Sequence, residues 1–437
     1  MPSASVRVRF APSPTGHLHI GSARTALFNQ LFAKNNEGHF FLRIEDTDAL
    51  RSDEKYLAEI LDSLRWLGIT WDGEPTYQSK QHDLYRGYAE TLCDRHFAYR
   101  DGDAIILTVD DAGEVSFFDL VREKITVKKS EIKDQVLIKS DGTPTYNFAC
   151  VIDDADMAIT HVIRGEDHIS NTPKQLLLYQ ALGLEPPQFA HIPLILSKDG
   201  GRMSKRHGAT SISEYRAMGY LPEALVNFLS LLGWSPGDDR QILSREETVR
   251  DFCLENVHRA GAVFDIDKLN WMNGQYIMKL SREELVARIA GFLKEKNVVS
   301  EAVDIKKLAE VVAMYRERAK TLSDFESVYR IFFGGTFEYI EKAVTKHLKD
   351  TDRAIFQEWH TKLQSVDPFD KGNIEQALRG MADEKGIKPA KLIHPTRVAI
   401  SGTDIGAGLF EMMEILGKDT VLKRIRSSIE TFVQQRI

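Results

Sequence analysis

The sequence predicts a multidomain chain: a parallel α/β domain interrupted by an inserted α+β segment, followed by an all-α half. Three observations predict this. Strand and helix patterns alternate from Val6 to Gly68 and return from Met157. Short β-like runs fill the stretch from about Trp71 to Gly142. From Leu221 onward nearly every segment carries helical periodicity.

The elements follow in order. Val6, Val8 and Phe10 alternate with Arg7 and Arg9, the period of a strand. Pro12, Pro14 and Gly16 break it. Ala23, Leu27 and Leu31 recur at helical spacing over Gly21 to Lys34. "HFFLRIED" is a second strand, and "DEKYLAEILDSLRWLG" an amphipathic helix closed by Gly68. A helix, "QHDLYRGYAETLCDRH", then leads into "AIILTV", "EVSFFDLV", "ITVKK" and "QVLIKS", the expected insertion. "MAITHVIRG", "TPKQLLLYQALG" and "FAHIPLIL" restore strand, helix and strand, with Leu176 to Leu178 as core. In the helical half, Ser281-Arg-Glu-Glu reads as a capping box, and Thr420 as a start signal before "VLKRIRSSIE".

The chain of 437 residues is long enough for several cores. A net charge of −7 argues against a wholesale nucleic-acid coat but leaves room for local basic surfaces. From Lys385 to Ile437, nine Lys or Arg face five Asp or Glu. Cys93, Cys150 and Cys253 lie far apart, so neither a disulfide framework nor a cysteine-rich zinc site is expected. With no leader-like or membrane-length apolar run, a cytoplasmic protein without membrane attachment is expected, as a monomer.

Two stretches carry chemistry. In "PSPTGHLHIGSARTALF" a strand ends in a Pro/Gly loop, His17 and His19 follow, and a helix begins near Gly21. A helix N-terminus offers free N–H groups and the positive end of its dipole. Gly16 and Gly21 let a phosphate approach the backbone, and both histidines can donate to it. Far downstream, "RMSKRHGA" places Arg202, Lys205 and Arg206 after the turn Ser197 to Gly201. Such a loop can bring charge to a phosphate when the transition state needs it. Taken singly, each stretch also fits a structural turn or a solvated charge run.

Together, "HLHIGS" and "RMSKR" resemble the two signatures of class I aminoacyl-tRNA synthetases. "RFAPSPTGHLHIGSARTALFN", "FLRIEDTD", "LRWLGITWD", "YQSKQHDLYRGYAETL", "PTYNFACVIDD", "THVIRGEDHISNTPKQLLLYQALG" and "WMNGQYI" are similar to bacterial glutamyl-tRNA synthetases. The likeness runs from Val6 to "LFEMMEILGK". It implies a Rossmann-like class I catalytic domain at 1–74 and 144–195, with an acceptor-end-binding insertion at 75–143. It further implies a stem-contact region at 196–281 carrying the RMSKR loop, and a helical anticodon-binding domain at 282–437.

The resemblance implies ligation of L-glutamate to tRNA-Glu through a glutamyl-adenylate, with ATP accompanied by Mg²⁺; the longer segment after Tyr99-Arg100 that carries zinc-binding cysteines in some members is missing here, so no zinc is expected. His17, His19 and Lys205 are the implied catalytic residues. Arg9, Ala11, Ser13, Glu45, Tyr146 and Arg164 are implied for glutamate, with Arg164 on its side-chain carboxylate and Glu45 on its ammonium. Arg forks suit carboxylates because they pair bidentately. Gly21, Asp167, His168, Ile195, Arg202, Met203 and Ser204 join the histidines and Lys205 in the implied ATP site. Cys150 falls where relatives place a pocket residue. In "MYRERAKTL", Arg318 is the implied anticodon reader that would separate tRNA-Glu from tRNA-Gln.

The chain departs from the family pattern at Ser22, at Arg202 where Lys is commoner, and in its short insertion. A relaxed enzyme that also charges tRNA-Gln is the nearest alternative. A glutaminyl enzyme is disfavoured by "APSPTG", a glutamyl-queuosine enzyme by the chain beyond Ser281, and a small nucleotidyltransferase by the helical arm. Intact His19, Lys205, Glu45 and Arg164 speak against a non-catalytic tRNA-binding paralogue.

Overall fold

The structure is a computed structural model that describes residues 5–48, 52–203, 208–299, 303–334 and 337–433. It forms two compact units, Met1–Met272 and Asn273–Ile437. The division falls some residues before the 281/282 boundary expected from the sequence.

In the first unit, β1 (Arg7–Phe10) leads through a loop to α1 (Ile20–Asn35), then β2 (His39–Ile44), α2 (Glu54–Trp66) and β3 (Thr76–Tyr77). These strands are parallel in the order β1-β2-β3, with Val8 opposite Phe40. Next come α3 (His82–Asp94), β4 (Ala98–Asp101), β5 (Ala104–Leu107), β6 (Glu114–Asp119), β7 (Glu123–Lys128) and β8 (Gln135–Ile138). β4, β5 and β8 make a small antiparallel sheet. The β6–β7 hairpin behaves differently. It joins the second parallel group, where Asp119 of β6 is paired with Phe189. Part of the stretch expected as an insertion thus extends the main α/β sheet.

α4 (Tyr146–Asp156), β9 (His161–Gly165), α5 (Thr172–Leu182) and β10 (Gln188–Ile192) complete the α/β layer, with β9 and β10 parallel. The two strand groups meet at Thr160. Its N–H donates to Arg7 O (2.9 Å), and its hydroxyl accepts from Arg7 N (2.8 Å). β1 therefore lies between β2 and the strand that follows Thr160. The chain leaves on one side and returns on the other, a topological switch point with a crevice at the C-terminal strand ends.

Arg9, on the face of β1 opposite Val8 and Phe10, is only 4% exposed, because a parallel sheet is covered on both faces. α1 is likewise buried nearly all round. Arg24 donates to Leu232 O and Pro193 O, Asn29 to Ile163 O (3.0 Å) and Gln30 to Thr70 O (2.9 Å). Of Leu176 to Leu178, only Leu178 is fully buried.

β11 (Ile195–Leu196) is followed by α6 (Ile212–Ala217), α7 (Pro222–Ser230) and α8 (Arg245–Asp251). One short strand, β12 (Ala262–Val263), interrupts the expected helical run and pairs with β11. α9 (Ile266–Lys279) crosses the division between the units.

The second unit continues with α10 (Arg282–Glu295), α11 (Ile305–Tyr315), α12 (Asp324–Phe333), α13 (Glu341–His347) and α14 (Arg353–Gln364). α15 (Lys371–Glu384), α16 (Ala390–Ser401), α17 (Leu409–Leu416) and α18 (Lys418–Thr431) follow. Ser281 and Glu284 form the expected capping box of α10. Thr420 does not start α18. The helix begins two residues earlier, after Gly417 at φ 78°, without a side-chain cap. Phe356, Trp359, Leu378 and Ile425 share one core, and Trp359 Nε1 donates to Thr396 Oγ1 (3.0 Å). No described helix is long and apolar enough to cross a membrane.

Candidate active site

A cavity of about 810 Å³ opens at the C-terminal ends of β1 and β9. Arg9, Ala11, Ser13, His17, His19, Gly21, Glu45, Tyr146, Arg164, Asp167, His168, Ile195, Arg202 and Met203 all line it. These are the predicted catalytic, glutamate and ATP residues, except Ser204 and Lys205, which lie outside the described residues.

One end is built by the N-terminus of α1. His19 takes the N-cap position in extended conformation, with no side-chain cap. The first helical N–H, on Ile20, donates to Thr210 O (2.9 Å), and Ala23 N donates to His19 O (2.8 Å). The amides of Gly21 and Ser22 between them have no acceptor among the described residues. A Cβ on Gly16 or Gly21 would meet nothing within 4 Å, so open space lies beside this backbone. Orphan donors, open space and the helix dipole make an anion site. His17 borders it. Its ring meets Tyr56 edge-on at 5.1 Å, and Nδ1 lies 3.9 Å from Glu59 Oε2.

The described flanks of the RMSKR loop reach the first signature and the cavity here. His19 forms an antiparallel bridge with Ser211, and Ile212 N donates to Leu18 O (2.9 Å). On the other flank, Leu196 bridges Arg202 and Met203 N reaches Ile195 O (3.2 Å). Both described flanks of the RMSKR loop are therefore tied to the cavity. Arg202 lies 3.7 Å from Asp167.

The other end carries carboxylate and ammonium chemistry. Arg164 is 5% exposed. Its Nε donates to His191 Nε2 (3.2 Å), and Nη2 donates to Thr172 Oγ1 (2.7 Å) and Gln175 Oε1 (2.9 Å). Nη1 is buried without a partner. Every group holding this cation is neutral or shared with a neutral ring, and one donor is left over, so a ligand carboxylate would complete it. Arg9 is placed differently. Asp154 already occupies its Nε (2.9 Å) and Nη2 (3.3 Å), so its expected role as a free fork narrows to Nη1. Glu45 lies at the cavity wall with Oε1 3.3 Å from Arg43. Burial pushes its carboxyl up, against the pull of Arg43 and Arg9.

Tyr146 starts α4 and is 37% exposed, a rim position. Its hydroxyl meets His168 Nδ1 at 3.2 Å. Burial and the Arg164 charge hold His168 down to about 4, so it is neutral at physiological pH. Its contact with Tyr146 joins a residue expected on the nucleoside to one expected on glutamate. Cys150 lies behind the wall at 1% exposure, and burial pushes its thiol up to about 11.

The family described as tRNA synthetases class I (E and Q), catalytic domain, matches residues 5–105 and 102–271, and an anticodon binding domain matches 279–429. Glutamate--tRNA ligase 2 of Thermoanaerobacter pseudethanolicus is 42% identical, covering 99% of both chains. Glutamate--tRNA ligase of Thermodesulfovibrio yellowstonii is also 42% identical, over 97% of this chain and 99% of its own. The chain belongs to the glutamate–tRNA ligase family. A solved glutamate tRNA ligase from Elizabethkingia meningosepticum, in complex with its amino acid, superposes with a TM-score of 0.84. It is 33% identical and covers 98% of this ligase and all of its own chain.

The ligase's site also contains residues that sequence reasoning passed over. Arg43 is fully buried, and its side chain reaches Asp154 Oδ1 (2.5 Å), Asp153 Oδ2 (3.5 Å) and Glu45. Asp153 accepts from Tyr85 (2.8 Å) and Gln78 (2.8 Å). Burial opposes ionisation of Asp154, but Arg43 and Arg9 overcome it and hold the carboxyl well below the usual range. The available signal was a charge inside an apolar run: Arg43 between Leu42 and Ile44, Asp153-Asp154 after Val151-Ile152, and His191 within "FAHIPLIL".

Arg318, in the second unit, is exposed on the turn after α11. Among the described residues, no group of three or more His, Cys, Asp or Glu could hold a metal ion.

Proposed function

We propose that this ligase joins L-glutamate to the 3′ end of tRNA-Glu in two steps. In the first, the α-carboxylate of glutamate attacks the α-phosphorus of ATP and pyrophosphate leaves. In the second, a terminal ribose hydroxyl of the tRNA attacks the activated carbonyl and AMP leaves. Neither step needs a covalent enzyme intermediate, so positioning and charge placement carry the rate. Mg²⁺ would accompany ATP and supply charge neutralisation at the phosphate end of the site, beside His17, His19 and Gly21.

One observation carries this reading. Arg164, whose Nη1 is buried without a partner, lines the same cavity as the uncapped N-terminus of α1. A cation held by neutral groups wants a carboxylate, and the free amides want a phosphate. Arg164 takes the glutamate side chain, Arg9 Nη1 and the Tyr146 hydroxyl take the α-carboxylate, and Glu45 takes the ammonium. Ala11 and Ser13 line the same wall. Gly21, His17 and His19 meet the phosphates, with Asp167, His168, Ile195, Arg202 and Met203 about the nucleotide. Ser204 and Lys205 are assigned to the same end on sequence. Residues 1–74 and 144–195 form the catalytic core, 75–143 meet the acceptor end and 196–281 the stem. The helical unit reads the anticodon, with Arg318 on a base.

The test is charging of purified tRNA-Glu and tRNA-Gln with labelled glutamate and glutamine. Glutamate on tRNA-Glu alone is expected. Glutamate on both would remove the Arg318 assignment, glutamine loading would remove that of Arg164, and no loading would sink the function itself.

A further inference from the structure

Arg164 is not the end of its own hydrogen-bond chain. Its Nε–H donates to His191 Nε2, and on the far side of the ring Nδ1 lies 2.6 Å from Asp119 Oδ2. An arginine can only donate, so Nε2 is an acceptor and the proton sits on Nδ1, facing Asp119. Thr172 Oγ1, which accepts from Arg164 Nη2, stands 3.1 Å from the same Nε2. His191 and Asp119 are both wholly buried.

Asp119 is itself fixed at the end of β6. Its carboxylate accepts from Val121 N (3.0 Å), Arg122 N (2.8 Å) and His191 N (3.1 Å). None of these atoms faces the cavity. We infer that Asp119 and His191 are positioning residues for the glutamate side-chain subsite: they lock one tautomer of His191 so that a neutral acceptor aims the Arg164 fork. The inference rests on the proposed role of Arg164.

The design has a physical reason. A carboxylate in direct contact would aim Arg164 equally well, but it would also neutralise the charge meant for the substrate. Arg9 shows that outcome, with Asp154 on two of its nitrogens. A neutral imidazole between Asp119 and Arg164 passes on orientation while keeping the carboxylate a ring's width away. The cation stays uncompensated toward the cavity, which is what separates a carboxylate from an amide ligand. Asp119 comes from the β6–β7 hairpin, so the short insertion contributes to amino-acid recognition from behind.

Two substitutions at one position test this in the full-length ligase with tRNA-Glu. His191→Asn puts an amide N–H near the Nδ1 position, keeping a donor for Asp119 but removing the acceptor for Arg164. His191→Gln puts a carbonyl oxygen near the Nε2 position and restores it. The expected result is a rise in KM for glutamate of about tenfold or more in His191→Asn. KM for ATP should stay unchanged, and His191→Gln should recover most of the loss. Equal behaviour of the two variants, or lower melting temperatures with unchanged KM for glutamate, would overturn the inference. Should His191→Asn fail to fold, Thr172→Val, which removes another neutral acceptor of Arg164, is read the same way. An Arg164→Gln control, which removes the charge, separates the layers. If it leaves the preference for glutamate over glutamine intact, the role of Arg164 fails. If it abolishes the preference while His191→Asn changes nothing, only the positioning role fails.

Discussion

The guanidinium of Arg43, fully withdrawn from solvent, stands 2.5 Å from Oδ1 of Asp154, which also binds Arg9. One carboxylate thus holds two buried cations from adjacent parallel strands. Removing one partner of such a group leaves uncompensated charge in a low dielectric, which costs about 3–5 kcal/mol. Asp154→Asn should therefore destabilise the first unit by about that amount, measured by urea denaturation at pH 7. A change below about 1 kcal/mol would mean that the cations find other partners.

The same pair makes a pH prediction. The folded Asp154 carboxyl lies below its unfolded value, so its contribution is complete above the ordinary carboxylate range near pH 4. It is lost as pH falls through the depressed folded value. The stability gap between wild type and Asp154→Asn should shrink between about pH 4 and pH 2 and stay level from pH 5 to 8. Glu45 and Asp153, both raised by burial, work in the opposite direction, so the difference between the two proteins is the quantity to follow.

His19 is exposed in the cavity and makes no side-chain cap, so little folding energy rests on its ring. His19→Ala should leave the melting temperature within about 1 °C and lower kcat for adenylate formation roughly a hundredfold, the scale of one lost transition-state donor. Lys205→Ala should lower the same kcat by a similar factor. A raised KM for ATP at unchanged kcat would reassign either residue to ground-state binding.

Arg318 stands exposed in a turn whose neighbour Arg316 is fixed to Met278 O (2.6 Å) and Leu280 O. Arg318→Ala should cost about 1–3 kcal/mol in kcat/KM for tRNA-Glu and narrow its margin over tRNA-Gln, at unchanged stability. Equal losses for the two tRNAs would turn a base contact into a backbone one.

Gly402 ends α16 at φ 76°, and a Cβ there would run into the carbonyl oxygen of Glu338. Gly402→Ala should destabilise the helical unit by about 1–3 kcal/mol, visible in thermal unfolding of the full chain. No loss would mean that the segment around Glu338 yields freely.

Much of this was legible in the sequence, and the failures have a common cause. His17 and His19, singled out by their loop, and Glu45, Tyr146 and Arg164, named through the family resemblance, line one cavity. Arg9 was found but read as a free fork, because alternation in a strand says nothing about whether the second face is covered. Arg43, Asp119, Asp154 and His191 were missed because each sits in an apolar run and gains its meaning from a partner about a hundred residues away or nearer across the sheet. The hairpin β6–β7 was assigned to the insertion because local pattern identifies strands but not the sheet they enter.

The junction at Thr160 has a consequence for how the chain is made. Arg7 emerges from the ribosome 153 residues ahead of the partner that closes its far side. At about 5–20 residues per second, that is roughly 8–30 seconds of synthesis. Throughout this interval β1 can pair with β2 but presents a bare edge on its other side, and the crevice between the two strand groups does not exist. The nascent chain is therefore a half-sheet in search of an edge, vulnerable to pairing with another such half. Its capacity to hold a ligand cannot arrive before the residues around Thr160 come into reach and those that line the cavity beyond them, to Met203, have followed.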